Sequence, residues 1–491
     1  MSTPTPRPRV IVVGAGISGL AAAHRVRELC EDQIEILVLE ASERAGGVIR
    51  TEKSGDFLIE CGPDSMVTEK PEAIALCERL GLEEELIPTQ EEFRRTLIVR
   101  NGKLLPMPEG FQLMAPSKLI PFLTSPVLSP LGRITALKDL FLPRGGPPEG
   151  GDESLASFVR RRLGDEVLES IAQPMVGGIY TADPEKLSLA STIPRFLEME
   201  REHRSILLGL AARARKAPAE VASGPRYGIF SALRGGIGVL VEALVNRLPT
   251  NSLRHGASVQ SILPQKGESG SRWSVVLTTG DVEEADAVIL AVPAPRASSI
   301  LAPLDADISR ELACIEYASS ATVSLAYRKS DFPRDPTAFG FVVPYREGRK
   351  IIAGSFSHHK FAGRAPEDHA LLRIFVGGAL QPEVLNLEDG ALLETVRNEL
   401  ASLLGVRSEP ILSKIQRWPQ AMPQYEVHHA NRVTQISELA QKHPGLELAG
   451  NAYHGVGLAD CVRSGEAASE RILAHLGTRG GQDRKPDQRS S

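Results

Sequence analysis

The chain has 491 residues, enough for two or more domains with their own cores. Its 56 basic and 61 acidic residues give a net charge of −5 at pH 7, and no polybasic stretch points to nucleic acid as a partner. The five cysteines lie far apart without a CxxC pair, which is typical of unpaired thiols in a reducing compartment.

The first predicted element is a buried strand that runs into a glycine-rich turn and a helix; the turn is Gly14-Ala15-Gly16-Ile17-Ser18-Gly19. Gly14 permits a tight turn, Gly16 lets the backbone approach a pyrophosphate, and Gly19 lets the helix pack on the strand. Free N–H groups at the helix start face the phosphates. A second strand ends in Glu40, where a carboxylate accepts hydrogen bonds from ribose hydroxyls. This order predicts a dinucleotide site.

Two further turns favour a flavin dinucleotide over a nicotinamide one. Ala41 to Gly47 carries Arg44 before paired glycines, so that a guanidinium and bare backbone lie against the far side of the pyrophosphate. Alone, Arg44 is equally well explained as a solvated loop charge. After a predicted strand, Phe57–Ile59, a tight turn follows with the sequence Gly62-Pro63-Asp64-Ser65.

The segment 113–142 is largely apolar but is interrupted by four prolines. A set of short core helices is the favoured interpretation, and a patch that dips into one membrane leaflet is the alternative. No signal peptide is recognisable, and no run of about 20 apolar residues predicts a membrane span. The expected location is the cytoplasm, with peripheral contact to the cytoplasmic membrane face left open.

Near the C-terminus a second strand, Leu446–Gly450, leads into a glycine-rich turn and the start of another helix. A short nicotinamide domain needs only the first such motif, whereas a flavin dinucleotide lying across the sheet uses both. The backbone N–H groups of Val456, Gly457 and Leu458 are expected near the flavin N1 and O2, where negative charge develops on reduction. No metal site is expected, because no Cys/His cluster exists and the adjacent His358 and His359 usually point apart.

These motifs resemble those of the amine-oxidase-like flavoproteins, and within that group the protoporphyrinogen oxidases, oxygen-dependent enzymes late in haem synthesis, with their coproporphyrinogen III-oxidising relatives. The resemblance covers about residues 9–475. It rests on the GxGxxG turn, the ExxxRxGG that follows, the C-terminal GNAYHGVGLADC, and middle segments such as Glu200–Gly209 and Phe339–Pro344.

The predicted fold class is α/β, with a discontinuous Rossmann-like FAD-binding domain, an antiparallel-sheet substrate domain and a helical, membrane-associating domain. The expected boundaries are 9–88, 225–305 and 412–477 for the FAD-binding domain, 90–205 for the helical domain, and 206–224 with 306–411 for the substrate domain. Residues 1–8 and 478–491 are expected to be disordered tails.

The resemblance implies a six-electron oxidation of protoporphyrinogen IX to protoporphyrin IX, with hydride transfer to FAD and reoxidation by O2 to give H2O2. No side-chain acid or base is required. No cysteine lies between Cys314 and Cys461, so FAD is expected to be noncovalent. The alternative is coproporphyrinogen III oxidation by the same mechanism. More distant alternatives are another amine-oxidase-like oxidase or desaturase and a non-enzymatic flavin-binding protein. A homodimer and transfer of the product to the next enzyme of haem synthesis are left open.

The resemblance also implies site residues. Arg95 is expected to pair with a propionate, with Arg94 as the fallback. Phe339, Val342 and Phe375 are expected to sandwich the tetrapyrrole, while Met175 and Gly178 line the opposite wall and the Gly178 carbonyl orients a pyrrole N–H. Val259 is expected to contact the adenine through its backbone, and Trp418 to pack beside the isoalloxazine.

Overall fold

The computed structural model describes residues 7–108, 111–112, 115–116, 119–145, 151–216, 229–267 and 270–477. The chain is mixed α/β and is built around two large sheets, with helices on their faces. The tails predicted to be disordered lie outside the described residues except for Arg7 and Pro8. Part of the segment 113–142 also lies outside them.

The first large sheet, the parallel sheet, holds the glycine-rich motifs. Its five strands are all parallel to their neighbours, in the spatial order Leu253–Arg254, Glu35–Leu39, Arg9–Val13, Ala287–Leu290 and Leu446–Leu448. The central strand is apolar and buried on both faces, as expected for a parallel sheet with helices on each side. The predicted strands at both ends of the chain therefore lie in one sheet.

Two helices on one face of this sheet pack closely along their length: the N-terminal helix, Ile17–Cys30, and the C-terminal helix, Leu458–His475. A side chain at Gly465 would place its Cβ 2.1 Å from the Ser18 carbonyl oxygen, and the Ser469 hydroxyl donates to the Ala22 carbonyl at 2.9 Å. Helix Gly238–Arg247 packs beside them. The other face carries three helices, Ala294–Leu301, Ala306–Ala313 and His429–Ala440.

The second large sheet, the seven-stranded sheet, is antiparallel except between Gly340–Val342 and Thr96–Arg100, which are parallel. Helix Asp389–Leu404 covers part of it. Its strand order is Leu412–Pro423, Tyr317–Arg328, His369–Gly377, Ala353–Phe356, Gly340–Val342, Thr96–Arg100 and Lys103–Pro106.

The two large sheets depart from the predicted domain boundaries in three places. Strands Thr96–Arg100 and Lys103–Pro106 were assigned to the helical segment 90–205 but pair within the sheet. Strand Leu412–Pro423 was assigned to the FAD-binding domain but pairs with Tyr317–Arg328. Conversely, helix Ala306–Ala313 packs against the parallel sheet. Hydrophobic patterns indicate that a strand forms but not its partner, because pairing is decided by contacts distant in sequence.

The remaining helices form a separate apolar core around Phe158, Ile171 and Phe196. Helix Ile206–Lys216 packs here, not in the substrate domain where 206–224 was placed; residues 217–224 lie outside the described residues. The helices around this core are Leu119–Thr124, Pro130–Leu137, Leu155–Leu163, Asp165–Val167, Gln173–Tyr180, Leu189–Thr192, Arg195–His203 and Ile206–Lys216, with a π-helix at Leu168–Ala172. None of the helices in the described ranges combines the length and apolar character that a bilayer crossing requires.

Short strands and helices complete the described chain. A three-stranded sheet joins Met66–Val67, Phe230–Leu233 and Leu86–Pro88, and another joins Val259–Gly267, Gly270–Leu277 and Val282–Ala285. Two hairpins pair Thr51–Ser54 with Phe57–Glu60 and Phe111–Gln112 with Ala115–Pro116. The short helix Glu72–Arg79 lies between strands Met66–Val67 and Leu86–Pro88 along the chain, and the short helix Ser357–Lys360 lies between strands Ala353–Phe356 and His369–Gly377.

Candidate active site

The N-terminal turn has the contacts that a close strand–helix junction requires. Gly14 has φ +99° and its N–H donates to the Leu39 carbonyl at 2.7 Å. A Cβ at Gly19 would lie 1.9 Å from the Gly14 carbonyl oxygen, so only glycine allows this approach. At Gly16 a Cβ would meet no described atom within 4 Å, and the helix starts there without a side-chain cap. Open space and free amides meet at one point, as an anion site requires.

Glu40 is held at the end of its strand beside this turn. Its carboxylate accepts hydrogen bonds from the Ala15 N–H at 2.7 Å and from the Ser42 hydroxyl at 2.7 Å. The Ala257 N–H donates to the Glu40 carbonyl at 2.8 Å, which draws the strand of Val259 to the same edge. The structure thus brings together the residues predicted for the ribose and the adenine. The Val259 carbonyl already accepts a hydrogen bond from Arg296 Nη2 at 2.6 Å.

Arg44, expected to lie against the far side of the pyrophosphate, contacts the backbone of its own turn. Its guanidinium donates to the carbonyls of Ala45, Gly47 and Ile49, and so fixes the glycine turn from within. Burial lowers the pKa of Arg44. The turn itself reaches the first motif, because the Gly46 N–H donates to the Ala15 carbonyl at 2.7 Å. Arg44 therefore stabilises the turn by hydrogen bonds to the carbonyl groups of the turn. The position of Arg44 in the sequence does not predict these hydrogen bonds.

The turn Gly62–Ser65, called here the cofactor turn, lies beside the seven-stranded sheet. The Cys61 carbonyl just before it accepts hydrogen bonds from Trp418 Nε1 at 2.9 Å and from the Thr322 hydroxyl at 3.0 Å. Inside the turn, the Asp64 carboxylate accepts from Lys360 Nζ at 2.8 Å. Trp418, predicted to belong to the same site as the cofactor turn, thus contacts the residue that directly precedes the turn.

Arg373 is a charged residue of this region that the sequence analysis missed. It is buried, donates to the Glu60 carbonyl at 3.1 Å, and lies over the Phe375 ring at 4.6 Å. Its Nη1 is 4.0 Å from the Asp64 carboxylate, and its Nε has no hydrogen-bond partner among the described residues. The sequence feature that could have identified Arg373 is its position as the single charged residue in the apolar run Leu371-Leu372-Arg373-Ile374-Phe375. Charged residues are rarely buried unless they have a partner.

The C-terminal glycine loop is shaped by Tyr425. The phenol donates to the Asn451 carbonyl at 2.5 Å and accepts from the Gly455 N–H at 2.8 Å. Burial raises the pKa of Tyr425, so the phenol stays neutral. Beyond the loop, the C-terminal helix starts at Gly457 without a side-chain cap, which leaves its first amides available. Val456 packs against the apolar core of the helical region.

The residues predicted to contact the substrate converge at one end of the seven-stranded sheet. The Phe339 N–H donates to the Arg95 carbonyl at 2.9 Å across neighbouring strands. Val342 and Phe375 both face Ala353 in register. From the helical region, Gly178 approaches: a Cβ there would lie 3.9 Å from Val342 Cγ1.

Met175 and Phe375 pack against the same apolar core as Val456, so the predicted substrate wall meets the predicted flavin loop. A π-helix directly precedes the helix that carries Met175 and Gly178, and such turns are frequent at functional sites. Arg95 is exposed, and its side chain makes no hydrogen bond or ion pair with the described residues. The neighbouring Arg94 instead lies 3.7 Å from Glu91.

The residues present fit a long dinucleotide. The contacts Ser18–Gly465 and Ala22–Ser469 show that the N-terminal and C-terminal helices run parallel, so their positive ends face the same side. The C-terminal helix begins six residues earlier in this register, which is about 9 Å at 1.5 Å per residue. Two uncapped helix ends at different depths suit a pyrophosphate at the first and a ring with developing negative charge at the second.

Comparisons with known proteins show the family to which the chain belongs. A family model described as flavin containing amine oxidoreductase matches residues 17–473. The coproporphyrinogen III oxidase of Bacillus subtilis (strain 168) is 34% identical over 471 residues, covering 95% of this chain and 98% of that protein. The protoporphyrinogen oxidase of Bos taurus is 31% identical over 489 residues, covering 94% and 98%.

The fold is shared with solved structures. A protein of Exiguobacterium sp. 255-15, provisionally assigned as a protoporphyrinogen oxidase, superposes with a TM-score of 0.84 at 31% identity, covering 96% of this chain and all of the other. A reduced UDP-galactopyranose mutase superposes with a TM-score of 0.70 at 15% identity, covering 95% of this chain and 96% of the other.

Proposed function

The chain belongs to the family of flavin-containing amine oxidoreductases, and from this premise we propose that it is an FAD-dependent porphyrinogen oxidase of haem synthesis. The observation that carries the proposal is the meeting of the substrate wall with the flavin loop: Val342, Met175, Phe375 and Val456 line one apolar core. Relatives that share nearly the full length of the chain are named as oxidases of porphyrinogens.

FAD supplies, when bound, the hydride acceptor that removal of hydrogens from a porphyrinogen requires. The amides of Gly16–Gly19 and the Glu40 carboxylate would hold its pyrophosphate and ribose, and the amides of Val456–Leu458 would meet its ring. No step needs a side-chain nucleophile. O2 as the final oxidant, giving H2O2, is part of the proposal.

The protein's own residues position the substrate. Phe375 and Val342 offer an apolar wall that excludes water from one face of the macrocycle. The Gly178 carbonyl accepts a pyrrole N–H on the opposite wall, and Arg95, exposed beside Phe339, pairs with a propionate. Arg373 holds Phe375 in place by stacking on its ring.

Protoporphyrinogen IX is the first substrate candidate, and two observations favour coproporphyrinogen III as a second. The Bacillus subtilis relative, named for the latter substrate, matches this chain end to end at 34% identity. Arg373 also adds a cation beside Phe375, and a substrate with four propionates uses more cations than one with two.

The test is a side-by-side assay of both porphyrinogens in air, with the purified yellow protein and porphyrin fluorescence as the readout. A higher kcat/KM for one of them assigns the substrate. Absence of porphyrin from both, in protein shown by its absorbance to contain FAD, would contradict the proposal.

We also propose that the segment 113–142 contacts the cytoplasmic face of a membrane. Leu131 and Phe141 are 73% and 81% exposed, and Ile134 lies one helical turn from Leu131 at 60% exposure. Leu131 and Ile134 share one face of helix Pro130–Leu137. Large apolar side chains exposed together are typical of surfaces that meet lipid or protein.

A further inference from the structure

Outside the proposed active site, three potential metal ligands meet beside the short helix Ser357–Lys360. They are Asp335, His358 and His359, and each offers a ligand atom within 4.8 Å of the others. Asp335 is exposed, and His359 is 3% exposed. The cluster is therefore open to solvent on the side of the carboxylate and closed on the side of the imidazoles.

Adjacent histidines were expected to point apart, but here their ring centroids are only 4.0 Å apart. Two contacts hold them together. The His359 ring stacks on Phe93 at 3.9 Å, and His358 Nδ1 lies 3.2 Å from the Leu371 carbonyl. Because these partners come from distant parts of the chain, the sequence spacing of the histidines does not predict their geometry.

One ligand atom is both buried and unused. His358 Nε2 has no hydrogen-bond partner among the described residues, although it is shielded from solvent. His358 Nδ1 lies 3.2 Å from both the carbonyl oxygen and the amide nitrogen of Leu371. The tautomer that carries its proton on Nδ1 donates to that carbonyl and has a free Nε2 lone pair, which is the arrangement of most metal-binding histidines. His359 Nε2, meanwhile, lies 2.9 Å from the Asp335 carboxylate. Two imidazole nitrogens and one carboxylate form a donor set that suits a divalent ion of intermediate softness.

We propose that Asp335, His358 and His359 form a binding site for Zn²⁺ or a similar divalent metal ion, with water in the remaining coordination positions. Histidines with one carboxylate are a common protein ligand set for zinc. None of these three ligands is a residue assigned to the substrate wall, and the proposal does not depend on the proposed enzymatic reaction.

The site is linked to the cofactor turn through the helix that carries both histidines. Lys360, the next residue, binds Asp64 of the turn at 2.8 Å, and the Gln90 side-chain amide donates to the His358 carbonyl at 2.9 Å. An ion that ties Asp335 to this helix would restrict the movement of Lys360. Metal binding is therefore expected to raise the thermal unfolding midpoint of the FAD-containing protein, because a ligand bound only by the folded state stabilises it.

The experiment is equilibrium dialysis of the FAD-containing full chain against ZnCl2 after chelator treatment, followed by metal analysis and a thermal melt. About one ion per chain is expected, with a higher midpoint that EDTA reverses. Asp335→Asn removes a ligand at an exposed position, and His358→Gln removes the free imidazole. Each is expected to weaken binding at least tenfold while the flavin absorbance stays that of the parent.

His369→Gln is the matched control, because His369 pairs with Asp368 at 2.6 Å and belongs to no three-ligand cluster among the described residues. This variant should bind zinc like the parent. The proposal is overturned if the parent takes up no zinc, or if Asp335→Asn and His358→Gln retain the parent's stoichiometry and affinity. Porphyrinogen turnover is not a readout, so failure here leaves the proposed function untouched.

Discussion

Glu60, just before the cofactor turn, and Asp64, within it, have carboxyl groups with opposite pKa shifts; Glu60 is buried and Asp64 is half-buried. Burial raises the pKa of Glu60, although Thr51 and Ile237 donate hydrogen bonds to it. At Asp64, burial acts in the same direction, but Lys360 and Arg373 outweigh it and hold the pKa well below the usual range. The Asp64 ion pair therefore contributes stability above the ordinary aspartate pKa, and this is lost only as the pH falls towards the lowered value.

Arg95 is the residue on which substrate binding is expected to depend. Arg95→Ala removes the guanidinium proposed to pair with a propionate, while the contact of the Arg95 carbonyl with the Phe339 N–H stays in place. Because a charge-assisted hydrogen bond is lost, KM for the porphyrinogen should rise about tenfold, with kcat changed less. The FAD content, read from the ratio of absorbance at 450 nm to that at 280 nm, should equal that of the parent.

Arg94→Ala is the control for this variant, since Arg94 already faces Glu91 and has the same charge. It should leave KM within about twofold of the parent. Equal losses of FAD and activity in Arg95→Ala would show instead that the arginine supports the fold.

At the scale of elements, the parallel contact between the N-terminal and C-terminal helices sets the spacing of the two predicted cofactor motifs. The contact is close because Gly465 faces the Ser18 backbone and the Ser469 hydroxyl caps the Ala22 carbonyl. A small residue at one position thus determines how closely the two helices that follow the predicted cofactor loops approach each other.

Gly465→Ala should separate these helices. The added methyl group would meet the Ser18 carbonyl oxygen at 2.1 Å, and overpacking of this kind costs about 1–3 kcal/mol. We expect a lower thermal unfolding midpoint and earlier release of FAD fluorescence on heating. Gly390→Ala, in helix Asp389–Leu404 with no atom within 4 Å of the new Cβ, should leave both unchanged or slightly raised.

Local patterns predicted most strands and helices but not their partners. The order of strand, glycine turn, helix and Glu40 was sufficient to predict the parallel βαβ unit, because each signal lies within 32 residues. The pairing of Thr96–Arg100 with Gly340–Val342 was not predictable, since it joins segments more than 230 residues apart. For the same reason, the sequence did not predict the cluster of Asp64, Lys360 and Arg373, or the contact of Asp335 with the two histidines.

At the scale of the whole molecule, buried ion pairs stabilise the helices that carry the exposed apolar side chains Leu131, Ile134 and Phe141. Asp139 and Arg162 are both fully shielded and pair at 2.8 Å, and the Ser205 hydroxyl donates to the same carboxylate. Glu200 accepts two hydrogen bonds from Arg161 at 2.6 and 2.7 Å. Glu200, Arg204 and Ser205, of the segment Glu200–Gly209, thus support the surface around Phe141.

That surface should bind lipid. Replacing Leu131, Ile134 and Phe141 together by serine removes three exposed apolar side chains, each worth roughly 1.5–3 kcal/mol when fully buried. We expect at least a tenfold loss of cosedimentation with vesicles of phosphatidylglycerol and phosphatidylethanolamine, without loss of FAD. Ile411→Ser, at an exposed apolar position of the chain outside this segment, is the control and should pellet like the parent. Identical pelleting of all three proteins would argue against membrane contact.

The order of strands in the parallel sheet also governs how the protein can be synthesised. Its central strand, Arg9–Val13, is translated first, whereas its edge strand Leu446–Leu448 and the C-terminal helix come last. At about 5–20 residues per second, the ribosome needs roughly 20–90 s between the two. Throughout that interval the N-terminal helix lacks its contact with the C-terminal helix, so this part of the core closes only after almost the whole described chain has been made.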